Sequence, residues 1–522
     1  MTKAYFLGVD AGTTSVKAVI FDEAGNEIRS ASRPLAVSTP KPNFAEQDME
    51  EVWLAFAAAC GEVMGKSSDL LGSLKAMCVT GQGGGSWIIG QDDKPVRPAC
   101  LWMDGRSKEI IEGWQKDGTY ERLYQATGWD VYTGLAPSTI LPWFMIHEPE
   151  SLKKAKAVVY CKDWLRFRLT GELLMDETDL LAMTDPRTRR YSQQIWDLAG
   201  IASLTHLFPP IRPSWEPAGK VTEKAAALCG LPAGLMVACG SIDVSSTALG
   251  VGCVEEGDAA SILGTAAIHL AVCRSPKFSK GYSLSQHCVP GAWLGNCMAM
   301  MAASCLDWFE GRLGAEEKLE AEKAGLGPYD LINQKVASAP LGAGGVIFLP
   351  YLQGERAPFV KPEARGDFYG LGLWTKREDI LRSIFEGVAL ATAHNHQSLS
   401  IGASFDEFWL AGGGAASPVW AQIVADCVGK RVKVPKGREF GARGAAINAA
   451  VAAGFFKSHQ EAVKAMVEPE RRYAPNERNH ARYKELLSIY IDLGKSLMPF
   501  WERSYKWVAE ADSSGRGPEG DG

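Results

Sequence analysis

Two segments that lie far apart in the chain share one layout of strand, Gly-Thr turn and strand. In "GVDAGTTSVKAVIFD" the turn begins at Gly12, and in "ASILGTAAIHLAVC" it begins at Gly264, 252 positions later. Alternating apolar residues on both sides of each turn predict paired β-strands. A repeat at about half of the 522 residues predicts an internal duplication, with two lobes and a cleft between them. The alternative is a chance match, because Gly-Thr turns between strands are common.

The length and local patterns indicate α/β lobes. Single cores stop growing beyond about 250–300 residues, so this chain needs more than one domain. "NEIRSAS" extends the first two strands into an antiparallel meander, and "DMEEVWLAFAAACGEVMG" has helical spacing behind Asp48 as N-cap. We place one α/β lobe at 1–240 and the other at 241–508, and expect the Gly-rich segment 509–522 to be a disordered tail.

Composition excludes several classes of partner. A net charge of -6 without a basic stripe gives no attraction to nucleic acid or to an anionic membrane. The start of the chain lacks the pattern of a signal peptide, and the apolar run 297–306 is about half of a membrane span. Twelve scattered cysteines are typical of core residues in a reducing compartment. We therefore expect a cytoplasmic protein that binds a small molecule, with a homodimer as the hypothesis for its assembly.

The first Gly-Thr turn has the groups of a phosphate site. Its backbone N–H groups and hydroxyls can converge on one anion, and they belong to Gly12, Thr13, Thr14 and Ser15. Asp10 beside the turn could hold a hydrated Mg²⁺, and Lys17 on the following strand joins the nucleotide-binding candidates. The alternative is a solvated hairpin turn capped by its own hydroxyls.

Two segments of the second half carry further candidates. Asp243 follows an apolar strand that ends at Gly240, where a carboxylate could accept the proton of an alcohol during phosphoryl transfer; an N-cap is the alternative. Gly412, Gly413 and Gly414 follow another strand and would let a nucleobase or ribose lie against the backbone before a helix near Ser417, unless they form a plain turn. The spacing of a dinucleotide-binding fingerprint is absent, which argues against a dehydrogenase.

Two polar loops of the first lobe could bind a sugar. They are "TGQGGGSW" and "LWMDGRS", in which Gln82, Asp104 and Arg106 can hydrogen-bond hydroxyls. Trp87 and Trp102 could stack on the C–H face of a sugar ring. Plain turns and a surface ion pair are the alternative reading of these loops.

In this order, the motifs resemble the FGGY family of carbohydrate kinases over roughly residues 5 to 500. The most specific match is "GDFYGLGLWTKREDILRSIFEG" at 366–387, while "LPYLQGERAPF" and "GGGAASPVWAQIVADCVG" look like the corresponding segments of xylulose kinases. The resemblance implies two actin-like (ribonuclease H-like) lobes that close on ATP, Mg²⁺ and a sugar or polyol. It also implies a role for each matching residue: phosphate loops at Thr13, Thr14, Gly264 and Thr265, a magnesium-side acid at Asp10, a catalytic base at Asp243 and an adenosine loop at Gly412, Gly413 and Gly414.

Departures from the family pattern concern the substrate. Gly83 and Gly84 stand where xylulose kinases usually have Met-His, so we expect a differently shaped sugar pocket. Ile140 replaces a lysine of the first family signature, and "GQGGGSW" with "YCKDWLRFRLTGE" is similar to erythritol kinases. A ketopentose is the leading substrate prediction, and a tetritol or another short polyol is the alternative. A catalytically inactive, nucleotide-dependent sensor is the alternative of another class.

Overall fold

The computed structural model describes residues 3–65, 72–279 and 281–514. Its strands are β1 (Tyr5–Ala11), β2 (Ser15–Asp22), β3 (Glu27–Pro34), β4 (Glu46–Gln47), β5 (Leu74–Gly81), β6 (Trp87–Gly90), β7 (Ala99–Cys100), β8 (Ala155–Val159), β9 (Met175–Asp176), β10 (Thr184–Asp185), β11 (Arg190–Tyr191), β12 (Ile211–Arg212), β13 (Pro217–Lys220), β14 (Met236–Ala238), β15 (Ala259–Leu263), β16 (Ala267–Cys273), β17 (Ser283–Gln286), β18 (Trp293–Ala299), β19 (Ile347–Leu349), β20 (Asp367–Tyr369), β21 (Glu407–Ala411), β22 (Arg431–Pro435) and β23 (Pro469–Tyr473).

The helices pack against the two main sheets that these strands form. They are α1 (Met49–Met64), α2 (Lys108–Asp117), α3 (Thr119–Thr127), α4 (Pro137–His147), α5 (Pro149–Lys154), α6 (Cys161–Thr170), α7 (Gln193–Ala199), α8 (Glu223–Cys229), α9 (Asp243–Val251), α10 (Ser304–Arg312), α11 (Ala315–Ala324), α12 (Pro328–Ser338), α13 (Arg377–Gly402), α14 (Gly413–Ala416), α15 (Pro418–Val428), α16 (Phe440–Ala452), α17 (His459–Met466) and α18 (Glu477–Ser514). The last helix includes the start of the segment expected to be a tail, and 515–522 lie outside the described residues.

The two main sheets repeat one topology. The first has the order β13-β14-β5-β1-β2-β3 and the second the order β17-β18-β16-β15-β21-β22-β23. β1, β2 and β3 form the predicted antiparallel meander, and β15, β16 and β18 form its counterpart. β5 lies parallel to β1 as β21 lies parallel to β15, which extends each meander on the same side. The predicted α/β fold with two duplicated lobes is therefore confirmed.

Helices α9 and α16 cross at the junction of the lobes, where their backbones nearly touch. A Cβ atom at Gly444 would lie 1.8 Å from the carbonyl oxygen of Ser246, and one at Gly250 would lie 1.9 Å from that of Phe440. Helix α16 also packs closely on β1. A Cβ at Gly8 would lie only 1.8 Å from a carbonyl oxygen of this helix. Only glycine fits these contacts, so the absence of side chains sets how closely the lobes approach.

The local prediction for α1 in the first lobe agrees with the structure. Asp48 caps α1 by accepting hydrogen bonds from the N–H groups of Glu50 and Glu51. The apolar stripe of α18 is buried against the second lobe, with Tyr483 and Tyr490 in its core. All twelve cysteines are buried and unpaired. Among the described helices, none is long and apolar enough to cross a membrane.

Candidate active site

Two carboxylates come together where the lobes join. Asp10 lies near the end of β1, and Asp243 is the first residue of α9. Burial and, second to it, the charge of Asp10 together raise the pKa of Asp243 to about 7. Burial also raises the pKa of Asp10 to about 6, against the opposing charge of Lys17. The predicted base and the predicted magnesium-side acid therefore lie close enough to influence each other's protonation.

Both carboxylates keep oxygen atoms available for a ligand. Within the described residues, no donor hydrogen-bonds the Asp10 carboxylate, and Asp243 Oδ1 accepts only the N–H of Val244 at 2.7 Å. Ile242 rather than Asp243 is the N-cap of α9, so the N-cap alternative does not hold. No cluster of three or more His, Cys, Asp or Glu among the described residues could hold a metal. Two free carboxylates suit a cation that keeps most of its water, as Mg²⁺ does.

The two Gly-Thr turns occupy equivalent places in the two sheets. The N–H of Gly12 donates to the carbonyl of Ser15 at 3.0 Å, and that of Gly264 donates to the carbonyl of Ala266 at 3.1 Å. The carbonyl of Thr265 accepts the N–H of Ala302 at 2.9 Å. The Thr265 side chain is exposed and has no hydrogen-bond partner among the described residues. Its hydroxyl is therefore available to donate a hydrogen bond to an anion.

The predicted adenosine loop lies directly against the second turn. Gly412 has φ 87°, and a Cβ there would lie 2.6 Å from the carbonyl oxygen of Leu263. Ser417 is the N-cap of α15, because its Oγ accepts the N–H of Trp420 at 3.0 Å. The same hydroxyl donates to Asn333 Oδ1 on α12 at 2.6 Å. The structure thus joins the glycine loop to the turn at Gly264 and gives Ser417 a capping role.

Lys17 forms an ion pair between the two lobes. Its Nζ lies 2.9 Å from Oε2 of Glu439, the residue before α16, and it stands opposite Asp10 in the β1–β2 register. A Cβ at Gly441, in the first turn of α16, would lie 2.2 Å from Asp10 Oδ2. Sequence reasoning missed Glu439, the residue before α16.

Thr13 connects the first phosphate turn to the polar loops. Its Oγ1 donates to Gln82 Oε1 at 3.0 Å and accepts the Nε1–H of Trp102 at 3.1 Å. Gln47 completes the group by accepting from Gln82 Nε2 at 2.8 Å and donating to the Thr13 carbonyl at 2.9 Å. Gln82 and Trp102 therefore lie beside Thr13, and Gln47 joins them.

Asp104, Arg106 and Trp87 are used inside the first lobe. Arg106 Nε donates to Asp104 Oδ1 at 2.8 Å, and its Nη2 lies 2.5 Å from Glu46 Oε1. Asp104 Oδ2 also accepts the N–H of Ala45 at 2.8 Å. Asp104 and Trp87 are fully buried, and Arg106 is nearly so. These residues hold the loop in place, which corrects the prediction that they contact the sugar.

Gly83 and Gly84 leave no extra space in the pocket. A Cβ at Gly83 would lie 2.1 Å from Cδ1 of Ile242, and one at Gly84 would lie 2.6 Å from the carbonyl oxygen of Leu135. Gly84 also has φ +75°, a conformation that other residues rarely adopt. Neighbouring atoms therefore occupy the positions where side chains at these two residues would begin.

A cavity of about 600 Å³ opens between the lobes, and Trp102 forms part of its wall. The first lobe contributes Trp102 and Tyr132, and the second contributes Asn296, Gln353 and Arg356. The Arg356 guanidinium lies 4.5 Å from the ring centre of Tyr132 and 6.0 Å from that of Trp102. Aromatic faces beside hydrogen-bonding groups suit a polyhydroxylated ligand. Sequence reasoning did not single out Tyr132 and Arg356.

Family models match both lobes. The N-terminal domain of the FGGY family of carbohydrate kinases matches residues 5–250, and its C-terminal domain matches residues 259–453. Fold and site together define a phosphotransferase that acts on an alcohol group of a sugar or polyol, with ATP as the donor. The chain belongs to the FGGY family of carbohydrate kinases.

Several relatives are similar along most of their length. An L-xylulose/3-keto-L-gulonate kinase of Escherichia coli (strain K12) is 31% identical over 507 residues, which cover 96% of this chain and 98% of the relative. An erythritol kinase of Brucella abortus (strain 2308) is 30% identical over 514 residues, 95% of this chain and 97% of the relative. The crystal structure of xylulose kinase from Rhodospirillum rubrum matches with a TM-score of 0.82 and 28% identity, covering 96% of this chain and all of that one.

Proposed function

We propose that this kinase transfers the γ-phosphoryl group of MgATP to a terminal hydroxyl of a ketopentose of the xylulose type, with Asp243 as general base. The observation that carries the proposal is the Asp10–Asp243 pair, in which Asp243 has a pKa of about 7 and a free carboxylate oxygen. A base of this strength can accept a hydroxyl proton near neutral pH. The names of the xylulose and L-xylulose kinase relatives support the choice of sugar.

In the proposed reaction Asp243 accepts the proton of the substrate hydroxyl. The hydroxyl oxygen forms a bond to the γ-phosphorus as the bond between that phosphorus and the ADP oxygen breaks. N–H groups and hydroxyls of the turns at Gly12 and Gly264 stabilise the phosphate oxygens. Asp10 would hold Mg²⁺, whose charge neutralises the phosphates when it is bound. Approach of the lobes would exclude water and so limit the hydrolysis of ATP.

A short polyol is the second candidate substrate. The erythritol kinase relative is nearly as similar to the chain as the L-xylulose kinase relative, and it favours a tetritol. The free carboxylate oxygen of Asp243 argues against an inactive sensor, which would bind the nucleotide without needing a base. We place the enzyme in the cytoplasm, where MgATP is available. A homodimer stays a prediction that sedimentation can check.

A coupled assay of ADP release tests the proposal. MgATP is offered with D- and L-xylulose, D- and L-ribulose, erythritol, glycerol, xylitol and gluconate, and a reaction without sugar is the control. One strongly preferred ketopentose supports the leading proposal. Preference for erythritol or another polyol replaces the substrate and keeps the mechanism. ATP binding without phosphate transfer to any sugar would favour the sensor.

Replacement of Thr265 by valine should weaken the use of ATP. A hydrogen bond to a charged group contributes about 1.5–3 kcal/mol, so KM for ATP should rise roughly tenfold or more. The affinity for the sugar should stay within about twofold, because the hydroxyl has no partner in the part of the protein that the structure describes. Separate titrations of ATP and sugar measure both effects, and Thr265→Ser, which keeps the hydroxyl, is the control. A larger loss of sugar binding than of ATP use would contradict the assignment of the second turn.

The rate of phosphoryl transfer should fall at acid pH as Asp243 becomes protonated. Burial and the charge of Asp10 raise the pKa of Asp243 to about 7, so its basic form is lost as pH falls below this value. The charge of bound Mg²⁺ lowers this pKa, so with MgATP the acid limb should lie at or below about pH 7. There kcat/KM for the sugar should fall about tenfold per pH unit. A profile that is flat from pH 8 to pH 5 would contradict Asp243 as the base.

A further inference from the structure

A buried charge cluster lies behind the polar loop that contains Gly84. Lys162 Nζ lies 3.0 Å from Asp163 Oδ2, 2.5 Å from Asp176 Oδ2 and 3.3 Å from Asp179 Oδ2. All four side chains have 0% exposure. Removing charges from water costs several kcal/mol per ion, so a buried cluster is weak evidence of a role in stability. Its other contacts indicate a different role.

Two hydrogen-bonded branches lead from this cluster to the active site. Asp176 Oδ1 accepts the N–H of Thr178 at 2.7 Å and also its hydroxyl. Thr178 Oγ1 in turn accepts the N–H of Ile242, the residue before Asp243, at 2.9 Å. On the other branch, Asp179 Oδ1 accepts the N–H of Gly84 in the sugar-binding loop at 3.2 Å. The cluster therefore fixes both the backbone that precedes Asp243 and the loop that contains Gly84.

The backbone before Asp243 is held residue by residue. The carbonyl of Cys239 accepts a hydrogen bond from Arg166 Nη1 at 2.5 Å. The N–H of Gly240 donates to the carbonyl of Ser214 at 2.9 Å, and the carbonyl of Ser241 accepts from Thr80 Oγ1 at 2.6 Å. The bond from Ile242 to Thr178 is the last of this series before the catalytic side chain. It therefore fixes the peptide that leads into Asp243, whose own side chain accepts the N–H of Val244.

We propose that Thr178 is a positioning residue for Asp243 and that Asp176 and Lys162 fix the direction of its hydroxyl. The proposal rests on the assignment of Asp243 as general base. The hydroxyl donates to Asp176, so its lone pair is left to receive the N–H of Ile242. Misplacement of a catalytic group by about 1 Å can cost about 100-fold in rate. The positive charge of Lys162 also lowers the pKa of Asp243 and so favours its basic form.

Thr178→Val tests the proposal because it keeps the shape of the side chain and removes the hydroxyl. We expect kcat to fall about 10- to 100-fold, with dissociation constants for MgATP and sugar within about twofold of the original protein. Thr178→Ser keeps the hydroxyl and should retain most of the kcat. Thr178→Ala serves as a second variant if the valine protein does not fold, and the same loss of kcat is expected from it.

Thr392→Val is the matched control in the second lobe. Thr392 and Thr178 are both 1% exposed, and the Thr392 hydroxyl donates to the carbonyl of Val388 inside α13 at 2.9 Å. Its loss removes a buried hydrogen bond away from the site, so it should lower the thermal midpoint and leave kcat unchanged. An equal fall of kcat in the Thr178 and Thr392 valine variants would overturn the proposal by showing a general effect of stability.

Comparison with Asp243→Asn separates this inference from the proposed function. If Asp243→Asn loses turnover and a folded Thr178→Val keeps its full kcat, only the positioning role of Thr178 is overturned. Equal losses in Thr178→Ser and Thr178→Val would also overturn it, since the hydroxyl would not be the active group. If Asp243→Asn keeps turnover, the assignment of the base fails, whatever Thr178→Val shows. Loss of turnover in Asp243→Asn and Thr178→Val, with turnover retained in Thr178→Ser, supports both the role of Asp243 as base and the positioning role of Thr178.

Discussion

Asp243→Asn should lower turnover by at least about 100-fold, because general acid–base catalysis contributes about 10²–10⁴ to enzymatic rates. Asparagine has the shape of aspartate but cannot accept a proton at the working pH. Binding of MgATP should persist, because the phosphate turns belong to the strand pairs β1–β2 and β15–β16. Single-turnover kinetics with the preferred sugar measure the chemical step, and calorimetry measures nucleotide binding.

Asp48→Asn is the matched control for this substitution. Asp48 caps α1 through hydrogen bonds from Glu50 and Glu51, and asparagine is an equally good N-cap residue. The control makes the same chemical change outside the active site, so its turnover should equal that of the original protein. Near-normal turnover in Asp243→Asn would remove Asp243 from the role of base.

Gly444→Ala should strongly disrupt the crossing of α9 and α16. Its Cβ would lie 1.8 Å from the Ser246 carbonyl oxygen, so α9 and α16 must move apart. Overpacking costs about 1–3 kcal/mol, and we expect the upper end because the contact is with backbone. Since α9 begins at Asp243 and α16 packs beside Asp10, activity should fall together with the thermal midpoint.

Gly494→Ala separates this clash from the general effect of alanine in a helix. Gly494 lies in α18, and a Cβ there would meet nothing within 4 Å. Alanine is favoured over glycine inside a helix by about 1 kcal/mol, so Gly494→Ala should raise the thermal midpoint. Differential scanning calorimetry of both variants gives the comparison. A Gly444→Ala protein as stable and active as the original would show that the crossing of α9 and α16 can widen freely.

Local patterns predicted the parts of the fold that depend on neighbouring residues. The hairpins at Gly12 and Gly264 follow from alternation around a turn, and α1 follows from its cap and helical spacing. The order of strands in a sheet has no such local signal. β5 lies between β1 and β14 because of contacts between residues far apart in the chain. The duplication could be predicted because it repeats a local pattern.

The candidate site was predictable where a residue's role follows from its own loop. Trp87 and Trp102 both flank polar loops, yet Trp87 is in the core and Trp102 lines the cavity. The difference depends on β8, which pairs with the strand that begins at Trp87. Lys162 in α6 is a second example of a role that depends on distant residues. Its charged side chain is buried because Asp176 and Asp179 pair with it. Such pairings between separate segments cannot be deduced from spacing.

In the proposed mechanism the hydroxyl of Thr13 would couple binding of the nucleotide to binding of the sugar. It donates to Gln82 and accepts from Trp102, whose ring lines the cavity between the lobes. A phosphate that recruits this hydroxyl would release the Gln82 amide oxygen, and a sugar that shifts Trp102 would release the hydroxyl. Linkage then requires that the sugar change the affinity for nucleotide by the same factor by which the nucleotide changes the affinity for sugar. One side chain thus carries a coupling free energy between donor and acceptor.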